Sequence, residues 1–327
     1  MKIQELRELL KDADKSSMEK AFAELYKQVA KSKKEEIDPV ITAILQGQDV
    51  QKKEAQPVDF AELKSRIETF IDNAYAQNYL APNRVIPKNQ RPKWRFLVKN
   101  YIKELGKIPQ DSPDHGDAAE LLKKLYRMLC AACNVYLFST EDPFRSVGIE
   151  QTDLCRQVLV NVFSSGYTRE NIRDMLLMVT TGGLDRETLY TELEFLLLGE
   201  LEVSDVKYMA IQEAKELICG KEKEIGALTR YSSGRFQKEE CVNELCNMIL
   251  MTAAALCEPE PEVEYYFKNC QESNKEIILY KILEVLWYMD DDKTWVWAYE
   301  YAVKKGIKPR EELQKRYVDM TENVPSE

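Results

Sequence analysis

Cys130 and Cys133, in the run CAAC, are the two residues best spaced to hold a metal or to run thiol–disulfide exchange. A structural zinc site needs four ligands, typically two such pairs or one pair with histidines. The chain has no second CxxC, and its one histidine is His115. Cys241 and Cys246 are five residues apart, which puts them on different faces of a helix. A thioredoxin-type motif follows a strand and opens a helix, whereas CAAC falls inside a helical pattern. No metal and no cofactor is expected, and the thiols are expected to pack as small apolar groups.

Three other groupings have the residue types for chemistry but not the spacing. His115 stands among Asp111, Asp114 and Asp117. A proton shuttle needs a base–nucleophile partner, and none is evident, so a solvated loop histidine is expected. Asp290, Asp291 and Asp292 evoke magnesium–diphosphate enzymes. That chemistry wants carboxylates one turn apart on one helix face, and three consecutive residues cannot supply it. They read instead as an acidic helix start. Thr180-Thr-Gly-Gly183 lacks the lysine and the preceding strand of a phosphate-binding loop. It reads as a helix stop, with Asp185 capping the next helix. The acidic run Glu258–Glu264 reads as a solvated turn and helix start.

The grouping that points at a ligand is basic. Between Arg84 and Lys107 there are eight Lys or Arg and one acid, Glu104. Arg91, Arg95, Lys99, Lys103 and Lys107 recur every four residues. A four-residue step drifts by about 40° around a helix, so Arg95, Lys99 and Lys103 share a face. Arg91 and Lys93 lie at the helix start, where cations beside free amides make an anion site. The candidate anion or nucleic-acid site is therefore Arg91, Lys93, Arg95, Lys99 and Lys103. The competing expectation is a solvated helix pairing with acidic residues of the same chain.

The elements that must position these residues are helices. Phe60, Leu63, Ile67, Phe70, Ile71 and Ala74 form one apolar stripe at helical spacing. Trp94, Leu97, Val98, Tyr101, Ile102 and Leu105 form another, with Pro92 suited to its first turn and Gly106 to its end. A long helix is expected from about Ala118 to Phe138. Over 151–220, stripes such as Ile172, Met175, Leu176, Val179 and Leu189, Leu193, Leu196, Leu197 lie between Gly166, Gly183, Gly199 and Gly220. This spacing predicts helices each closed by a glycine. Further helices are expected over 236–256, 259–270, 274–289, 293–305 and 309–320. Ser16 with Glu19, and Ser273 with Glu276, have capping-box spacing. Trp295, Trp297, Tyr299 and Tyr301 alternate like a strand, but Asp290–Asp292 before them and Lys304, Lys305 and Gly306 after them are helix-end chemistry.

The composition agrees. The 327 residues include only 12 glycines and 12 prolines, about half the glycine expected for an average protein, against 44% apolar residues. Sandwiches, barrels and doubly wound sheets need more turns. The expected fold class is all-α, a multi-helical array of antiparallel helices resembling HEAT-like arrays in pattern only, or an irregular helical bundle. The expected organisation is a small helical segment at 1–47, a polar linker at 48–57 and a main helical domain at 58–327. The net charge of −10 disfavours nucleic acid and anionic membranes as default partners. Residues 58–107 depart from this, with ten basic against five acidic residues, net +5. The opening residues lack the apolar core of a signal peptide. The most apolar run, Leu245–Cys257, is about 13 residues, too short to span a bilayer. With eight cysteines read as reduced thiols, the cytoplasm is the expected compartment.

These observations make a protein-binding helical scaffold the expected function. A count of 17 tyrosines suits interfaces. A nucleic-acid or phosphate-ligand binder using Arg84–Lys107 is the alternative, and no catalytic constellation is visible. Lys52 and Lys53 make the stretch 47–57 the expected first site of internal cleavage by trypsin. Limited proteolysis followed by mass analysis should find that cut first, and early cleavage elsewhere with these lysines intact would mean that 1–47 docks tightly.

Overall fold

The apolar stripes become buried helix faces, and burying them against one another generates the architecture. The computed structural model describes residues 3–11, 13–29, 31–47 and 59–322. Among these are sixteen α-helices and no strand, and 72% of the chain is helical. The chain divides into two units, Met1–Val58 and Asp59–Glu327. The expected linker 48–57 lies outside the described residues.

The first unit holds α1 (Ile3–Lys11), α2 (Lys15–Gln28) and α3 (Lys31–Leu45). Asp14, not Ser16, caps α2: its carboxylate accepts from the Ser17 amide at 2.9 Å and the Ser17 hydroxyl at 2.7 Å. The aspartate supplies a charged acceptor at the helix start, and the Ser16–Glu19 box is not used. The Tyr26 hydroxyl donates to Asp38 at 2.5 Å, joining α2 to α3. No described side chain of this unit is buried.

The second unit runs from α4 (Phe60–Tyr75) through a 3-10 turn (Arg91–Lys93), α5 (Trp94–Leu105), α6 (His115–Asn134), α7 (Pro143–Val147), α8 (Gln151–Phe163), α9 (Arg169–Thr180) and α10 (Tyr190–Glu200). It continues with α11 (Ser204–Gly226), α12 (Arg235–Ala255), α13 (Glu260–Asn269), α14 (Lys275–Tyr288), α15 (Asp292–Lys304) and α16 (Glu311–Glu322). The even-numbered helices from α4 to α14 pack in one continuous row, each against the next. The odd-numbered helices pack outside them, with α5 on α7, α9 on α11 and α13 on α15. Neighbours in sequence join the rows, most extensively α11 with α12. Arg169 and Arg173 of α9 clasp Glu213 and Glu216 of α11, with Arg173 Nε 2.9 Å from Glu213.

Several local expectations are overturned. Gly199 and Gly220 lie inside α10 and α11 and close neither. An interior glycine costs a helix only about 1 kcal/mol, less than tertiary packing returns. Asp185 does not cap α10. It accepts from the Glu187 and Thr188 amides in the preceding turn, and Glu192 accepts from the Leu189 amide at the helix start. Leu189 is therefore at the helix edge and 62% exposed, outside the core stripe. Asn274, not Ser273, caps α14, accepting from the Glu276 amide at 3.0 Å. The Trp295–Tyr301 segment is helical, within α15.

The doubled glycine is a stop, and more than a stop. Gly182 has φ +101, and a Cβ at Gly183 would sit 2.2 Å from the Cys130 carbonyl oxygen. Only a residue without a side chain lets the α9–α10 turn lie against the backbone of α6. Gly183→Ala should therefore destabilise the protein by about 3 kcal/mol, at the upper end of overpacking costs. Gly220→Ala should stabilise it by roughly 0.5–1 kcal/mol, since a Cβ there meets nothing within 4 Å. Urea unfolding of the two variants beside the parent checks both signs.

Candidate functional site

The basic helix α5 is oriented by its aromatic inner face. Trp94 stacks on Phe138, with centroids 3.9 Å apart at 11°. Tyr101 meets Phe70 edge-on at 5.6 Å, and Phe70 and Tyr79 lie 5.0 Å apart. With Trp94, Val98, Tyr101, Ile102 and Leu105 buried, Arg95, Lys99 and Lys103 are turned to solvent. Phe96 joins them, 62% exposed, with the Arg95 guanidinium 5.0 Å from its ring centroid. The Lys99 ammonium reaches toward Gly148, the left-handed residue that ends α7.

The five expected site residues are not equally free. Arg91 is taken up by the preceding loop: Nε donates to the Ile86 carbonyl at 3.0 Å and Nη2 to the Asn83 carbonyl at 3.1 Å. The free amides expected beside it are also spent. Arg91 N donates to Pro87, Lys93 N to Gln90 and Trp94 N to Arg91, because a 3-10 turn precedes the α-helix and uses them. Arg91 is thus a loop clamp. Lys93 is exposed at that turn, and Lys107 is engaged by Glu104 at 2.7 Å. Among the described residues no carboxylate pairs with Lys93, Arg95, Lys99 or Lys103, so the expected pairing with the acidic remainder of the chain does not occur on this face. Sequence reasoning overlooked Phe96. The signal was an aromatic residue standing outside the stripe of its own helix.

The CAAC thiols and the histidine are packed into the helical array. Cys130 is buried in α6, with Gln151 Nε2 donating to its sulfur at 3.4 Å and to the Gly183 carbonyl at 3.1 Å. Burial pushes the Cys133 thiol up to about 12, so it stays protonated at neutral pH. Among the described residues no three His, Cys, Asp or Glu side chains converge as metal ligands. His115 is not a loop residue. It opens α6, is 5% exposed, and its Nε2 lies 2.7 Å from the Ser164 hydroxyl and 3.3 Å from the Asn161 carbonyl. The helix starts three residues earlier than its apolar pattern, and the imidazole fills the junction with α8. Asp291 is the cap of α15, accepting from the Thr294 amide at 3.0 Å.

One polar pair was not foreseen. Glu194 of α10 is wholly buried, facing Glu244 of α12. An ionised Glu194 finds no donor for either oxygen, whereas the neutral acid donates to the Glu244 carboxylate. Asn247 Nδ2 donates to Glu244 at 2.9 Å, and the Tyr266 hydroxyl donates to Asn247 at 2.6 Å. Burial, then the adjoining Glu244, hold Glu194 well above the usual carboxylate range. Burial raises Glu244 as well, against the pull of Lys281. Two carboxyls sharing a proton are acid–base machinery in enzymes, but Glu194 has no exposed surface for a substrate to reach.

No protein-family model matches the chain, and no curated protein sequence or solved structure matches it significantly.

A group whose folded pKa is raised contributes stability that is complete below its unfolded value and is lost as pH rises through its folded value. Stability should therefore fall from about pH 4.5 upward through the Glu194 titration. Glu194→Gln keeps the donor to Glu244 and removes the proton, so its pH profile should be flatter. At pH 8 it should be more stable than the parent. Denaturant unfolding at pH 5 and pH 8 checks this, and parallel profiles for the two proteins would refute it.

Proposed function

We propose that this chain is a binding scaffold, a helical array that holds a partner, and that the α5 face docks an anionic one. The observation that carries the reading is the exposed set Arg95, Lys99 and Lys103, fixed by a rigid aromatic inner face and left without carboxylate partners among the described residues. Unpaired cations on a fixed helix face retain their field for an incoming ligand. The acidic net charge of the whole chain makes this face the local exception. An acidic protein segment is the first reading of the partner. A cytoplasmic location belongs to the same proposal: five of the eight cysteines are buried core thiols, a use suited to a reducing compartment.

A nucleic-acid partner is the second reading, favoured by Phe96. An exposed ring between cations is the arrangement on which bases stack while phosphates pair. The two readings separate on the ligand. A single-stranded oligonucleotide, heparin and a glutamate-rich peptide should be titrated at several salt concentrations. Three or four phosphate contacts give a log–log salt slope of roughly −2 to −4. Arg95→Glu with Lys99→Glu should abolish binding of the preferred ligand without changing helicity, and Phe96→Ala should weaken the oligonucleotide alone. Arg91→Ala should loosen the 83–91 loop and leave affinity nearly unchanged. Failure of all three ligands at low salt would sink the proposal.

A further inference from the structure

At the other end of the second unit, α14 presents aromatic rings to α16. Trp287 and Tyr288 are about half exposed, and Trp295 of α15 closes the floor. The groove encloses about 280 Å³, below the roughly 300–1,000 Å³ of sites for drug-sized ligands and suited to one long side chain. Two carboxylates stand at its rim, Glu284 one turn from Tyr280, Trp287 and Tyr288, and Glu312 from α16. Both are exposed, and neither has an ion-pair partner among the described residues.

Two arginines of this region stack on two rings of α14, and the contrast between them is informative. Arg310 lies 4.4 Å over the Tyr280 ring and is also fixed by Glu276 through two hydrogen bonds of 2.6 and 2.8 Å. Arg316 lies 3.0 Å over the Trp287 ring and has no carboxylate partner among the described residues. Arg310 is anchored, while Arg316 sits in a cation seat held by the ring and the field of the rim. An indole face is the best aromatic partner for a cation, and guanidinium is weakly hydrated and stacks readily. The seat is thus occupied by a group that a similar group can replace. Only Leu313 is buried in α16, so displacing Arg316 uncovers little core.

We infer that the α14–α16 groove is a recognition site for an arginine side chain of a basic peptide, with Arg316 as its intrachain occupant. The site is separate from the α5 face and of opposite charge preference, so neither reading rests on the other. The net charge of −10 draws basic ligands toward it.

The test uses the full chain and a tetra-arginine peptide, with binding followed by calorimetry at fixed ionic strength and a tetra-glutamate peptide as control. The parent should bind tetra-arginine weakly. Arg316→Ala should bind about tenfold more tightly, because the competing guanidinium is gone. Adding Trp287→Ala to Arg316→Ala should remove at least tenfold of that affinity with no change of charge, and Glu284→Gln with Glu312→Gln should weaken binding in either background. Helicity and melting temperature are measured for each variant. Arg316→Gln, which keeps a long polar side chain on α16, must reproduce the gain if Arg316→Ala lowers helicity. Affinity that ignores Trp287→Ala would be attraction to the acidic surface at large and would overturn the inference. So would Arg316→Ala and Arg316→Gln variants that bind no more tightly than the parent.

Discussion

The middle of helix α12 must lose contact with water on every side, and the array is arranged around that requirement. Six consecutive residues, Met248 to Ala253, are buried, so the helix has no solvent face over almost two turns. Burial on all sides takes several partners, and α9, α10, α11, α13 and α14 all pack on it. A run of apolar residues too short for a bilayer becomes the core helix of a layered fold. Its row neighbours α10 and α14 cover two sides, and α9, α11 and α13 of the other row cover the rest. Among the described residues no helix is long and apolar enough to cross a membrane.

Helix existence was legible because the stripes are regular. Leu63, Ile67, Phe70, Ile71 and Ala74 are all buried as their spacing requires. Helix ends were less legible, since Ser, Asp and Asn compete for the same cap. At two starts Asp14 and Asn274 won over the neighbouring serines that fitted a capping box. Glycines misled for a related reason: Gly166 follows its helix with a left-handed turn and Gly106 ends α5 without one, while Gly220 simply continues α11. The candidate site was half legible. Four-residue spacing placed Arg95, Lys99 and Lys103 on one exposed face, but it could not show that a 3-10 turn would spend the amides beside Arg91. Nor could periodicity reveal Glu194, whose partner Glu244 is fifty residues away in another helix.

Charge is distributed so that two surfaces differ in sign. Cations of α5 stand free because the acidic residues near them are few and Glu104 is already committed to Lys107. At the α14–α16 end, Glu284 and Glu312 form no close ion pair among the described residues, while Arg310 and Arg316 are laid on rings. Between α9 and α11 charges close on one another, in the clasp of Arg169 and Arg173 with Glu213 and Glu216.

The two-row packing also sets how the second unit responds to force. Helix α16 packs mainly on α15, whereas α12 is held by five helices, so tension from the carboxyl end meets the least interlocked part of the unit first. The weakest member yields first. That member is α16, attached by one buried leucine, the Arg316–Trp287 stack, the Tyr317–Tyr299 ring stack at 4.4 Å and the Tyr317–Glu300 hydrogen bond. Pulled from its carboxyl end, the second unit would shed α16 before the helices interlocked on α12 gave way.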